Sequence, residues 1–127
     1  MKIREMQRGQ IWWFLTPQMR PCPKVKCNLC IGSSQFLTIN TSDRYGKFKL
    51  DKTEYPFLSH DSYIGDIIFD FSGEDEEIEV DNKQFRQIIS DKTAIQLIDY
   101  VKKSRVLTPV NKDIVIAALT PPFPPPP

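Results

Sequence analysis

The clearest acid–base cluster in the sequence is His60-Asp61-Ser62, which places an imidazole beside a carboxylate and a hydroxyl. Histidine titrates near neutral pH and serves as a general acid or base in many enzymes. Neighbouring side chains of an extended segment point in opposite directions, so we do not expect Asp61 to orient His60. The cluster is typical either of a proton-transfer group or of an ordinary surface histidine, and both readings stay open.

The three cysteines Cys22, Cys27 and Cys30, together with His60, are residue types that hold zinc in a four-coordinate site. Cys27 and Cys30 lie three residues apart in a predicted strand, so their side chains should face opposite sides of the sheet. We therefore expect small buried thiols and no cofactor. The odd number of cysteines also argues against a disulfide framework.

Charge is distributed unevenly along the chain, although the net charge is only +1. Residues 1–49 hold nine basic and two acidic side chains, residues 50–81 hold one lysine and eleven acidic side chains, and residues 82–127 hold seven basic and three acidic side chains. A basic first third suits an anionic partner such as nucleic acid. Alternatively, the basic and acidic blocks pair with each other inside the fold.

An aromatic run, Trp12-Trp13-Phe14, lies in the basic third and is suited to stacking on unpaired bases. The run belongs to a predicted first strand over residues 9–14. Because alternate side chains of a strand face opposite sides, only one of the two tryptophans is expected in the core.

The element that positions the other polar groups is a predicted β-hairpin over residues 25–42, with its turn at Gly32-Ser33-Ser34. Apolar residues alternate along both strands, which predicts a hairpin that buries one side. The second strand ends in the polar pair Thr41-Ser42. Polar side chains that follow a buried strand are well placed to form a site.

The rest of the chain predicts further short strands at residues 47–50, 66–71 and 77–80, and then a change to helical periodicity. A short helix is expected at residues 82–89, a second one capped by Ser90 or Asp91, and a last one capped by Thr108 with Pro109 in its first turn. The fold class is therefore mainly β (α+β): a small β-barrel with two or three C-terminal helices.

At 127 residues the chain is expected to form one domain, residues 1–120, followed by a proline-rich disordered tail, residues 121–127. A docking peptide for aromatic grooves is the alternative reading of the tail. There is no apolar run of about eighteen residues and no secretory signal, so we expect a cytoplasmic protein with no membrane partner.

The order of these parts resembles the MazF/PemK family of toxin ribonucleases over roughly residues 7 to 119. The resemblance rests on Arg8-Gly9-Gln10-Ile11-Trp12-Trp13 as an opening strand, on residues 26–32 as the second strand, and on residues 36–42, which end in what looks like the family's Thr-Ser. It implies an SH3-like barrel, a homodimer and metal-independent cleavage of single-stranded RNA. It also implies an antitoxin partner whose segment occupies the RNA groove.

Carried over by position, Thr41 and Ser42 would hold the scissile phosphate, and His60 would transfer a proton. Lys26 stands where the family usually has an arginine, and is the expected catalytic cation. The residues expected to contact RNA are Arg8, Trp12, Arg20, Lys24 and Arg44. The alternative from another class is a non-catalytic SH3-like interaction module that binds a protein through its acidic segment, residues 74–81, or through its proline tail.

Overall fold

The computed structural model describes residues 1–16, 24–73, 76 and 78–127. Its centre is a curled, antiparallel, six-stranded sheet with the strand order β4-β5-β3-β2-β1-β6. The strands are β1 (Gln10–Thr16), β2 (Lys24–Cys30), β3 (Gln35–Asn40), β4 (Phe48–Leu50), β5 (Ser62–Asp70) and β6 (Phe85–Ile88). Two helices follow, α1 (Asp91–Lys103) and α2 (Pro109–Leu119). The predicted mainly β architecture with C-terminal helices is confirmed.

The predicted hairpin is formed by β2 and β3, which pair from Asn28–Thr38 to Cys30–Phe36. Its turn runs through Gly32, Ser33 and Ser34, whose φ angles are +86°, +54° and +61°. Glycine adopts this left-handed region freely, whereas the two serines tolerate it at some cost. The Gln35 amide closes the turn on the Gly32 carbonyl at 3.0 Å.

The sheet buries side chains on both faces, so the prediction of a one-sided hairpin is wrong. The helix-covered face is aliphatic, and its central side chains are Ile11, Leu29, Leu37, Ile39, Ile64, Leu97, Val101, Val115 and Leu119. The opposite face, which we call the aromatic face, buries Ile3, Met6, Trp12, Phe14, Cys30, Phe36, Phe71 and Val80. The N-terminal segment supplies Ile3 and Met6 to this second cluster. The sequence pattern of the hairpin alone does not predict that this segment covers its second face.

The segment between β5 and α1 differs most from the prediction. A strand is expected at residues 77–80, and its described part, residues 78–80, forms only an isolated bridge between Glu79 and Lys2. The expected helix at residues 82–89 is instead a 3₁₀ turn, Asn82–Gln84, followed by β6. Pairing of β6 with β1, together with the edge-on packing of Phe85 against Trp12 at 5.4 Å, outweighs the local helical pattern.

Both long helices begin where the sequence predicts. Of the two candidate caps for α1, Ser90 accepts a hydrogen bond from the Thr93 amide at 3.1 Å. Thr108 accepts one from the Asn111 amide at 3.2 Å, and Pro109 stands in the first turn of α2. Neither helix in the described part of the chain is long and apolar enough to cross a bilayer.

The first residues after α2, as far as Phe123, contact Arg8 and Gly9 just before β1, whereas the composition predicts a disordered tail over residues 121–127. The Arg8 guanidinium donates to the carbonyl oxygens of Ala118 and Thr120 at 3.0 Å and of Pro122 at 2.5 Å. It also lies 5.3 Å from the ring centre of Phe123. A Cβ atom on Gly9 would sit 2.6 Å from that ring, so only glycine allows the tail to pack this closely.

Basic and acidic blocks pair in part inside the fold, as one of the two readings of the charge pattern predicts. The N-terminal amine contacts Glu79 at 2.7 Å, Arg4 pairs with Glu76, and Lys49 lies 3.1 Å from Asp61. These pairs are solvent-exposed, so each contributes little to stability. They account for only part of the basic residues and leave the other reading open.

Candidate functional site

Thr41 and Ser42 are exposed and follow β3 directly. The Ser42 hydroxyl accepts a hydrogen bond from the Arg44 amide at 3.2 Å, which bends the chain into a short turn. Both hydroxyls therefore stand at the end of a strand whose other residues are almost all buried.

Lys26 lies at the same end of the sheet as these hydroxyls. The register of β2 and β3 puts it across from Asn40, and its Nζ atom donates to Asn40 Oδ1 at 2.8 Å. Asn40 is the residue immediately before Thr41. The start of β2 and the end of β3 therefore lie at one rim of the sheet.

A row of polar side chains runs inward from Lys26 on the aromatic face, and we call it the polar stripe: Lys26, Asn28, Thr38 and Asn40. Asn28, Thr38 and Asn40 are each at most 3% exposed. Asn40 Nδ2 donates to Thr38 Oγ1 at 3.2 Å, and Asn28 Nδ2 donates to the Lys26 carbonyl at 2.8 Å. Each stripe residue thus helps to fix the position of the next.

Two features set the stripe apart from ordinary core packing. Asn28 Oδ1 is buried with no hydrogen-bond partner among the described residues, and its amide orientation is fixed by the bond from Nδ2. Gly65 of β5 lies over the stripe, since a Cβ atom there would come within 3.1 Å of Thr38 Oγ1. Asn28, Thr38 and Asn40 lie outside the site predicted from the sequence, although their alternation with apolar residues along two paired strands is visible there.

The loop after Thr41 is held against the sheet and α1 by backbone contacts. Gly46 packs so closely on β5 that a Cβ atom would lie 2.1 Å from the Ile64 carbonyl oxygen. The Asp66 amide donates to the Tyr45 carbonyl at 2.8 Å, and the Lys47 amide donates to the Tyr100 hydroxyl at 3.1 Å. The segment that carries Ser42 and Arg44 is therefore pre-organised.

A surface cleft of about 490 Å³ lies between this loop and the end of α1. Four cationic side chains line it: Arg44, Lys47, Lys103 and Arg105. On its floor the Tyr100 hydroxyl contacts the Asp66 carboxylate at 3.2 Å, and partial burial raises the pKa of both groups. Asp43 and Asp99 also line the cleft and pair with Lys47 and Lys103.

His60 is exposed, and its Nδ1 atom lies 2.9 Å from the Ser59 hydroxyl. It comes just before β5, whose residue Tyr63 pairs with Asn40, so it belongs to the same end of the sheet as Thr41. Asp61 turns away from it, as predicted. The Asp61 carboxylate accepts from the Lys52 amide at 3.1 Å and pairs with Lys49, and these contacts lower its pKa.

The residues expected to contact RNA have different environments. Trp12 is fully buried, and its indole N–H donates to Gln10 Oε1 at 3.0 Å, so it has no exposed face for a base. Trp13 is the exposed tryptophan, at 39%. Because the Arg8 guanidinium is occupied by the residues after α2, Arg8 holds the fold together in this structure. The burial of Trp12 corrects the expectation that it stacks on a base, whereas contact between Arg8 and RNA stays a prediction.

The structure describes the other three residues expected to contact RNA to different extents. Arg44 is exposed beside the Tyr45 ring, at 5.9 Å from its centre. Lys24 begins β2, and only its backbone is described. Arg20 lies outside the described residues, as does most of the proline-rich segment that carries it.

The two described cysteines face opposite sides of the sheet, as predicted. Cys27 packs toward the aliphatic face and is partly buried, while Cys30 belongs to the aromatic cluster. Burial raises the pKa of Cys27, and it raises that of Cys30 to about 12. No group of three potential metal-ligating side chains is found among the residues that the structure describes, and Cys22 lies outside them.

Comparison of the chain with models of protein families, with curated proteins and with solved structures finds no match.

Proposed function

We propose that this chain is a MazF/PemK-like toxin with an SH3-like barrel, which binds single-stranded RNA and cleaves it without a metal ion. The contact between Lys26 and Asn40, beside the exposed hydroxyls of Thr41 and Ser42, carries the proposal. An ammonium group and two hydroxyls at one strand end offer the charge and the donors that a phosphate needs.

In the proposed reaction the ribose 2′-hydroxyl gives its proton to a base while its oxygen attacks the adjacent phosphorus, and the 5′-oxygen of the next nucleotide takes up a proton as its bond to phosphorus breaks. The products are a 2′,3′-cyclic phosphate and a free 5′-hydroxyl. Thr41 and Ser42 hold the phosphate, and Lys26 stabilises the negative charge that the pentavalent phosphorus group gains. His60 is the proposed proton-transfer group because it is the imidazole at this end of the sheet.

The loop after Ser42 supports an RNA path that continues past the scissile phosphate. Arg44, Lys47 and Arg105 line the adjoining cleft, where they can pair with phosphates of flanking nucleotides. The close packing of Gly46 keeps this loop in one position. Under this proposal the protein acts as a homodimer in the cytoplasm, and an antitoxin inhibits it by covering the RNA groove.

The proposal is tested by incubating purified protein with a labelled single-stranded RNA in excess EDTA. Lys26→Ala and Thr41→Ala should each lower the cleavage rate about a hundredfold or more, the usual cost of removing one charge-stabilising donor. Lys92→Ala is the matched control, because Lys92 is an exposed lysine of α1 outside the polar stripe. It should leave the rate unchanged.

RNA that stays intact after long incubation, while the protein still binds it, would remove the cleavage half of the proposal. Binding itself is measured as affinity against salt concentration. Each phosphate contact releases counterions, so Lys26→Ala should reduce the slope by about one unit. An affinity that does not change with salt would remove RNA binding as well.

A non-catalytic SH3-like interaction module remains the second candidate, and the acidic segment after β5 favours it. Glu76 and Glu79 are both largely exposed although they pair with the N-terminal residues. The proline tail favours it less, because Arg8 already binds the Pro122 carbonyl. A protein that binds no RNA but binds a peptide through the acidic segment would establish this second function.

A further inference from the structure

Among the described residues, one edge of β1 has a strand partner over only part of its length. β1 pairs with β2 from Ile11 to Thr16, whereas it pairs with β6 only at Gln10, Ile11 and Trp12. In the described part of the chain no strand pairs with the remaining edge, from Trp13 to Thr16. Unpaired strand edges present a row of backbone donors and acceptors that another chain can satisfy.

This edge forms one wall of a groove of about 510 Å³. Trp13, Phe14 and Leu15 line one side, and residues 78–81 with Gln84 line the other. The second wall is extended backbone, fixed by the Lys2–Glu79 bridge and by the bond from the Val80 amide to the Met1 carbonyl at 2.8 Å. Four strand residues span about 13 Å, so the groove accommodates a short extended segment.

The groove exposes large apolar side chains. Trp13 is 39% exposed and Leu15 is 49% exposed, and both lie on the same side of β1. The Arg86 guanidinium lies 5.1 Å from the Trp13 ring centre and stabilises the indole by a cation–π contact. An apolar side chain of a bound segment would find a rigid aromatic surface there.

The charged groups that line the groove are acidic, which selects the occupant. Glu79 and Asp81 are 66% and 61% exposed, although they pair with the N-terminal amine and with Lys83. Among the described residues that line the groove none is basic, and the guanidinium of Arg86 lies against the Trp13 ring. Carboxylates repel RNA phosphates and attract lysine and arginine, so the charge favours a basic peptide over nucleic acid.

We propose that the free edge of β1 binds an extended peptide segment of a partner protein by strand addition. Apolar side chains of the segment, at alternate positions, pack on Trp13 and Leu15, and basic side chains between them lie near Glu79 and Asp81. Backbone hydrogen bonds to β1 supply affinity, and the alternating side chains supply specificity. The proposal is independent of RNA binding at the polar stripe.

The test uses a fluorescent eight-residue peptide of alternating lysine and valine, with its affinity measured by polarisation. Two derivatives carry N-methyl groups on the odd or on the even amides. Because only alternate residues of an added strand bond to the sheet, one methylation pattern should abolish binding and the other should retain it. Hydrogen exchange at residues 13–16 should slow when the unmodified peptide binds.

Leu15→Lys places a positive charge on the groove wall and should weaken peptide binding at least about tenfold. Ile95→Lys is the matched control, since Ile95 is a similarly exposed apolar residue of α1, at 59%, and its change should leave the affinity unaltered. Circular dichroism checks that both variants are folded.

Three results would overturn the proposal. The peptide could fail to bind, or both methylation patterns could bind equally well, which would exclude strand addition. Alternatively, sedimentation could reveal a dimer of the chain that Leu15→Lys dissociates. The groove would then be an interface between two copies rather than a site for another protein.

Discussion

The two faces of the sheet are both buried, but they are buried in different ways. On the helix-covered face, aliphatic side chains of the strands meet aliphatic side chains of α1 and α2. On the aromatic face, Phe14 packs edge to face on Phe36 and Phe71 at 5.3 and 5.9 Å, and the rings of Phe36 and Phe71 lie 5.6 Å apart at a tilted angle. Farther along the same strands this packing gives way to the polar stripe, with Asn28, Thr38 and Asn40.

This difference separates a wholly apolar core from a row of buried polar side chains within one sheet. Apolar burial is the main source of folding free energy, and the helix-covered face supplies it along its whole length. On the aromatic face, a buried amide oxygen with no partner in the described part of the chain, that of Asn28, costs folding free energy. The polar stripe is therefore expected to be retained for what it does at the rim, where Lys26 and Thr41 lie.

The comparison between the two faces requires that the aromatic cluster be packed as tightly as a hydrophobic core. Phe36→Ala removes a side chain with no exposed surface and should lower the free energy of unfolding by about 3–5 kcal/mol. Leu97→Ala on the other face should cost about 2–5 kcal/mol. Urea denaturation followed by circular dichroism measures both. A loss below about 1 kcal/mol for Phe36→Ala would show that the aromatic cluster packs loosely.

The thiols of the two faces offer a second, smaller contrast. Burial raises the pKa of Cys30 to about 12, so almost none of it is thiolate at pH 8, and it should be alkylated at least about a hundredfold more slowly than in the unfolded chain. Cys27 is only partly buried and should react faster than Cys30. Peptide mapping by mass spectrometry follows each site. Equal rates in the folded protein would contradict the difference in burial.

The smallest effect is expected inside the polar stripe. Asn28→Leu removes an amide whose oxygen has no partner among the described residues and whose Nδ2 atom donates one hydrogen bond, so the free energy of unfolding should change by no more than about 1 kcal/mol in either direction. Thr38→Val is the comparison, because it removes the acceptor of Asn40 Nδ2 and should cost about 1–2 kcal/mol. Urea denaturation distinguishes them. If Asn28→Leu destabilised as strongly as Phe36→Ala, the stripe would be part of the core.

Local patterns predict much of this fold. The β2–β3 hairpin is predictable because its apolar alternation and its Gly32 turn agree, and the starts of α1 and α2 because Ser90 and Thr108 are good caps. β6 is not predictable in this way. Its residues have a helical period, and only the neighbouring edge of β1 and the Trp12 ring make it a strand.

The candidate site also has features that local sequence patterns predict and features that they do not. Strand register predicts that Lys26 lies across from Asn40, the residue before Thr41, because the register depends only on where the turn lies. Which of Trp12 and Trp13 is buried depends on which face of the sheet the N-terminal segment covers. The hydrogen bonds of Arg8 depend on residues at and after the end of α2. Such contacts join distant parts of the chain, so no local pattern contains them.

The contact between Arg8 and the carbonyl oxygens after α2 also affects the order of folding. It joins residues that are 110 to 114 positions apart in the chain. Contacts of such long range form late, because the intervening chain must first be ordered. During synthesis β1 and β2 are made long before Ala118 and Pro122 leave the ribosome. Arg8 therefore lacks these carbonyl partners until the last residues of the chain have been made.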